Sequence, residues 1–333
     1  MNPHAPLRKS GHERYALNSS PLFGITSKRK LAELLESDPL TIRTLCVMGD
    51  RAYAERFVKT RTGKIRKVQD PNPELKKIHK RINKLLQRIK HPRFVQAGLK
   101  GKSYIKNADS HEKDVGVCTM DIKSFYPSTP KRRVVWLFRY VFKCASDVAK
   151  ILADLTTVSG HLPTGGPASL LLSFWVNLEM FNVIHETAEN NGLKMTLYVD
   201  DMTFSGPEKA TRLFLNEHVK PLLRRFVFKG HKIKGFGAGV NKHVTGIVLA
   251  SGSLRLPFER SHKIALCYKA LRECQDDQEK LLIMSELISR LCEAASVEER
   301  YAARANSMVQ ARRNLLSKMS RSKQATLVSR VAT

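Results

Sequence analysis

The sequence is short of acid. Of its 333 residues, 30 are Asp or Glu against 58 Lys or Arg, which leaves a net charge of +28. An imbalance of that size points to a polyanionic partner, nucleic acid first and an anionic membrane surface second. Long apolar runs are missing: none approaches roughly 18 residues, so no membrane-spanning helix is expected. The first twenty residues lack both an apolar core and a small-residue cleavage site, so a secretory signal is not expected either. The six cysteines form no CxxC pair, which argues against a zinc site, and they are expected to be reduced core residues in a cytoplasmic setting. Aromatics are sparse at 7 %, yet hydrophobic residues reach 42 %, enough for a sizeable core and against wholesale disorder.

Residues 1–25 read as a loose polar arm. From Ser27 the pattern predicts a capped amphipathic helix with Leu31, Leu34 and Leu35 on one face, then a short helix over 39–49. Residues 53–69 predict a basic hairpin turning at Thr62-Gly63, with Lys59, Arg61, Lys64, Arg66 and Lys67 on it. A helix follows Asp70-Pro71, carrying Leu75, Ile78, Ile82 and Leu85 at helical spacing. The centre predicts a buried strand ending at Asp121, a helix around Trp136–Phe142, and a Gly-Pro turn opening one long apolar helix that closes at Gly192. Two short apolar strands around Asp200-Asp201 and a helix over 207–219 come next. From about Ser251 the chain reads as helical and basic. Residues 301–333 hold seven Lys or Arg and no acid, which suits a surface gripping nucleic acid.

Three carboxylates stand out by position. Asp121 ends an apolar strand, and Asp200 and Asp201 occupy the tip of an apolar hairpin. Carboxylates set into hydrophobic strands are costly unless compensated. Adjacent strands could bring them together around Mg²⁺, which prefers hard oxygen ligands. Two such ions about 4 Å apart would activate an attacking hydroxyl and stabilise a leaving pyrophosphate, the chemistry of nucleotidyl transfer.

The residues around these carboxylates resemble a known family. Tyr198-Val199-Asp200-Asp201 is similar to the YxDD signature of reverse transcriptases, and Met120 to Ser128 to their preceding aspartate motif. Leu162 to Ser169 is similar to the LPQGxPxS motif between the two. Order and spacing fit over most of residues 50–250. Asn107-Ala108-Asp109-Ser110-His111 resembles the NAxxH motif of bacterial retron reverse transcriptases, and Val244-Thr245-Gly246 their VTG motif. The length suits a compact retron enzyme.

That resemblance implies an α+β, right-hand polymerase fold: N-terminal arm and helices over 1–50, fingers over 51–114, a palm of antiparallel sheet backed by helices over 115–250, and a basic helical thumb over 251–333. It implies Asp121, Asp200 and Asp201 as catalytic metal ligands for two Mg²⁺ ions, with the Ile122 carbonyl assisting. Tyr126 matches the aromatic position that rejects a ribose 2′-OH. Lys64 and Arg66 match fingers residues that hold the incoming triphosphate, and Thr164 and Gly165 lie at the nucleotide. Asn107 and His111 are expected to contact RNA or lock the fold, and Val244, Thr245 and Gly246 to contact a cognate structured non-coding RNA. Two departures are visible. Thr164 stands where the family has Gln and cannot bridge two partners as an amide can. The NxxKT segment is unmatched, leaving His231, Lys232 and Lys234 as open candidates to protonate pyrophosphate. The implied activity is RNA-templated DNA synthesis from dNTPs, begun at a guanosine 2′-OH. Its product is a branched RNA–DNA hybrid (msDNA), and its setting anti-phage defence with a separate effector protein and no membrane partner. Other bacterial reverse transcriptases, intron-derived or CRISPR-associated, and a noncatalytic RNA-binding scaffold of the same fold are the alternatives.

Overall fold

A computed structural model describes residues 14–59, 63, 65–206 and 210–331, with side chains as far as 320. Most of the expected arm, Lys64 and the far end of the basic tail therefore lie outside the described residues. The chain gathers into two compact units: residues 14–103 with 116–235, and residues 104–115 with 236–331.

The first unit begins with two capped helices. In α1 (Lys28–Leu34) the Ser27 hydroxyl accepts from the Lys30 N–H, and in α2 (Pro39–Met48) Asp38 accepts from Thr41 with Pro39 at the first helical position. The hairpin of β1 (Tyr53–Lys59) and β2 (Ile65–Pro71) is anchored at its base, where Tyr53, Gln69 and Pro71 are buried and Val68 and Asp70 half-buried, and is exposed from Ala54 to Lys59 and from Ile65 to Lys67. Helix α3 (Pro73–Gln87) is capped by Asn72 and buries Leu75, Ile78, Ile82 and Leu85 as the spacing requires. Each such side chain stabilises by about 1.5–3 kcal/mol when fully buried.

The centre of this unit is a four-stranded sheet in the order β4 (Lys194–Tyr198), β5 (Asp201–Gly206), β3 (Gly116–Ile122), β6 (Gly230–Phe236). Helices α5 (Lys131–Trp136), α6 (Ser146–Thr156), α7 (Ser169–Val176), α8 (Leu178–Asn190), α9 (Arg212–Phe214) and α10 (Lys220–Arg225) belong to the same unit. Helices α5 and α9 each run on into a π-helical turn, Leu137–Val141 and Leu215–Val219.

The expected long helix to Gly192 is interrupted. Asn177 sits at φ −112°, ψ 19°, its amide donating to the Ser173 carbonyl and its carbonyl accepting from Arg133 at 2.9 Å. A side chain serving as its own local partner ends α7 there, and α8 restarts one residue on. Apolar periodicity, which continues across the break, gives no sign of it.

The second unit holds α4 (Tyr104–Asp109), a three-stranded antiparallel sheet of β7 (Lys242–Val244), β8 (Ile247–Ala250) and β9 (Ser253–Arg255), and helices α11 (Phe258–Glu273), α12 (Asp277–Ala295) and α13 (Ala302–Val331). Its separate core gathers Leu256, Ile264, Leu287, Leu291, Ala294 and Tyr301. The α+β class expected from the sequence is thus what the structure has, with antiparallel pairing in each sheet whose register is described. All six cysteines are free; Cys118 and Cys144 are buried, but Cys292 is exposed, so the expectation of core cysteines holds only in part. No helix among the described residues is long and apolar enough to cross a membrane.

Candidate active site

Strand alternation places the acids. On one face of the first unit's sheet, Thr119 lies opposite Thr203 and Thr203 opposite Thr196. One pair further along the same face, Asp121 lies opposite Asp201, and Asp201 opposite Tyr198. Met120, Cys118, Met202, Phe204, Leu197 and Met195 take the other face and enter the core. Directly opposed residues of an antiparallel pair lie about 4.5–5.5 Å apart at Cα, where like charges repel.

Asp200 joins them through the turn. Val199 and Asp200 form a two-residue loop between paired Tyr198 and Asp201, and Val199 takes φ 62°. A β-branched residue in the left-handed region is strained, and such strain concentrates at functional turns. The Asp200 carbonyl accepts from the Ile122 N–H at 2.9 Å, which ties the turn to the end of β3.

The electrostatics of the three acids are unbalanced. Burial, then the neighbouring Asp121 charge, pushes the Asp200 carboxyl up to about 6 against the pull of Lys232 and Arg66. Burial, then Asp121 and Asp200, pushes Asp201 up to about 7 against Lys234 and Lys232. Asp121 is held from β6: Lys232 donates to its Oδ2 at 2.7 Å, and His231 Nδ1 lies 3.4 Å from Oδ1. Lys232 sits at φ 51°, which breaks the alternation of its strand. Two of the three open candidates on β6, His231 and Lys232, therefore touch Asp121, and the charge of the third, Lys234, acts on Asp201.

Tyr126 and Arg66 lie within reach of the same field. Burial, then the Asp200 charge, raises the Tyr126 phenol above its ordinary value, while Arg66 pulls it down. Phe125, beside it, is locked among Phe181 and Phe228 at ring distances of 5.9 and 5.7 Å, fixing the segment that carries Tyr126. Arg66 is exposed on β2, opposite Val58. Thr164 donates to the Lys67 carbonyl at 2.8 Å, so the shorter side chain binds the hairpin. Gly165 lies against β2 so closely that a Cβ would come within 2.6 Å of the Gln69 carbonyl oxygen.

The retron-like motifs lie in the second unit, joined to each other. Thr245 and Gly246 have φ 44° and 80° between paired Val244 and Ile247, the double left-handed loop of a tight hairpin. The Thr245 hydroxyl donates to the Tyr104 carbonyl at 2.9 Å and accepts from the Asn107 amide at 3.3 Å. Asn107, His111 and Val244 are buried, whereas Gly246 is exposed. The Asn107 Oδ1 is buried with no hydrogen-bond partner among the described residues.

Hard oxygen donors that repel one another are the chemistry a divalent cation relieves, so the donor set fits one. Among the described residues, no three acidic, His or Cys side chains gather closely enough to hold an ion as they stand.

No family model matches the chain. Reverse transcriptases of retrons are among its sequence relatives. It is 34 % identical over 193 residues to the retron Se72 reverse transcriptase of Salmonella heidelberg, covering 56 % of this chain and 49 % of that protein. It is 26 % identical over 232 residues to the retron Ec83 enzyme of Escherichia coli, covering 64 % and 73 %, and 25 % identical over 238 residues to the retron Mx162 enzyme of Myxococcus xanthus, covering 62 % and 49 %. The chain thus spans about half the length of two of these three, and the resemblance read from its motifs is met. Among solved structures, a foamy viral protease-reverse transcriptase in complex with RNA/DNA hybrid aligns at TM-score 0.43 and 12 % identity, covering 80 % of this chain and 33 % of that one.

Proposed function

We propose that the chain is a retron-type reverse transcriptase that copies a cognate structured non-coding RNA into DNA. The observation that carries this reading is the opposition of Asp121 and Asp201 on neighbouring strands, with Asp200 in the adjoining strained turn. The kinship with retron enzymes supports the same reading. Residues 51–114, 115–250 and 251–333 serve as fingers, palm and thumb, with 104–115 and 236–250 grouped with the C-terminal unit.

Asp121, Asp200, Asp201 and the Ile122 carbonyl would hold Mg²⁺, two ions in all. When bound, the ions supply activation of the primer hydroxyl and stabilisation of the leaving pyrophosphate. The chain's own groups do the rest. Arg66, with Lys64, grips the triphosphate, as guanidinium and ammonium groups do. Tyr126 closes the space a ribose 2′-OH would need, selecting dNTPs. Thr164 and Gly165 fix the hairpin beside the nucleotide. One of His231, Lys232 and Lys234 passes a proton to pyrophosphate. In the second unit Asn107, His111, Val244, Thr245 and Gly246 shape the surface that meets the cognate RNA, mostly from beneath it. Priming from a guanosine 2′-OH, a branched msDNA product and a defence role with a separate effector complete the proposal.

The test is primer extension on an RNA template by the parent and by Asp200→Asn, with RNA binding measured beside it. Lost incorporation with retained binding is expected; equal incorporation by both would falsify the catalytic assignment. Sequencing nucleic acid that co-purifies, before and after RNase, separates the retron reading from its rivals. One structured RNA joined to DNA supports it, while spliced intron RNA or mixed cellular RNA overturns it.

A further inference from the structure

Away from the acids, the first unit carries an aromatic surface that nothing above uses. Trp136 ends α5 and Tyr140 lies in the π-helical turn that follows; they are 46 % and 59 % exposed. A tryptophan that open is unusual on a protein surface, and π turns recur at functional sites. The same stretch buries Val134, Leu137, Phe138 and Phe142 completely, so its orientation is fixed by the core. The two exposed rings are 6.4 Å apart and tilted by 39°, in contact but not stacked face to face.

The charge carried by this stretch has one sign. Residues 131–143 contain Lys131, Arg132, Arg133, Arg139 and Lys143 and no acid. Arg132 and Lys143 are exposed and make no ion pair among the described residues. On neighbouring α6, Asp147 and Asp154 are already engaged by Lys28 and Lys131. Arg132, Trp136 and Tyr140 recur every four residues and so run along one helical stripe.

We infer that Trp136 and Tyr140 are a stacking platform for unpaired bases of a single-stranded polynucleotide, whose phosphates are met by Arg132, Arg139 and Lys143. Aromatic faces between cations recognise bases whose own faces are free, and a duplex offers those only at its ends. An acid-free stretch whose neighbouring acids are already paired favours a phosphodiester chain over a protein partner, whose acids would have to supply the complement. The inference stands apart from the polymerase reading, since neither its residues nor its readouts involve nucleotide incorporation.

Intrinsic fluorescence gives a direct test on the full chain. Of the two tryptophans, Trp175 is only 4 % exposed, so Trp136 is the solvent-facing reporter. Titration with a short oligouridine or oligothymidine should quench Trp136 emission, and a covalently closed circular duplex, which has no ends, should not. The tighter of the two strands names the source. Trp136→Phe should keep the affinity and lose the quenching. The double variant Trp136→Ala/Tyr140→Ala should bind the single strand roughly 5- to 150-fold more weakly, as loss of base stacking predicts. Its thermal midpoint and duplex affinity should stay unchanged. Emission that ignores saturating single strand, or an equal loss of duplex affinity, overturns the platform. So does a double variant that keeps its oligonucleotide affinity but loses self-association or capture of a protein, which would make the patch a protein interface.

Discussion

The two units each contain a polar constellation, and the two are built on opposite terms. In the second, Asn107, Thr245 and the Tyr104 carbonyl form a short hydrogen-bonded chain that holds a left-handed loop in place. Polar groups there act on one another, and stability is gained. In the first, Asp121, Asp200 and Asp201 are crowded so that burial and mutual repulsion raise the latter two far above ordinary carboxyls. Stability is given up, and the deficit is of the kind a bound cation would relieve.

The sharpest way to break that contrast is to remove an acid. Asp200→Asn should lower incorporation by about 1,000-fold or more, since several kcal/mol of transition-state stabilisation would go. The same substitution should raise the melting temperature of the metal-free protein at pH 8, because a repelling charge is deleted. A variant that loses activity and stability together would place Asp200 with the second unit's constellation instead.

The pH dependence follows with the sign fixed by the direction of the shifts. Asp200 and Asp201 titrate in the fold at about 6 and 7, above the ordinary 3.8, so folding favours their protonated forms. Their contribution to stability is full below about pH 4 and is lost as pH rises through 6 to 7. Metal-free melting curves should therefore fall across that window, by on the order of a few kcal/mol for the coupled pair. Added Mg²⁺ should flatten the slope; a slope indifferent to Mg²⁺ would mean the charges answer to something else.

Smaller effects test the scaffolding. Gly165→Ala, with its Cβ 2.6 Å from the Gln69 carbonyl oxygen, must push the hairpin aside and should cost about 1–3 kcal/mol in urea unfolding. Asn107→Ala should destabilise by roughly 0.5–1.5 kcal/mol in urea unfolding. Gly246→Ala, at φ 80°, should cost about 1 kcal/mol.

Much of the site was legible because its signals are local. Alternating strands, a two-residue loop and an acid at each strand end lie within a dozen residues of Tyr198, and the spacing to Asp121 carried the rest. The capped helices α1 to α3 were legible for the same reason. What escaped was settled by tertiary contact. Asn177 ends a helix through Arg133 and its own preceding turn, against unbroken apolar periodicity. Lys232 reaches Asp121 because one left-handed residue breaks the alternation of β6. Asn107 and Thr245 are 138 residues apart, and no pattern on either side announces the other.

That last separation also orders events during synthesis. Residues 104–115 leave the ribosome long before 236–331, yet they belong to the same compact unit. The nascent chain can close its first core while α4 still waits for β7 and β8 to be translated. Joining segments so distant adds a loop-closure penalty that local helix pairs avoid. The C-terminal unit should therefore be the late-maturing part of the molecule, and a pulse of protease during refolding should cut there last to become resistant.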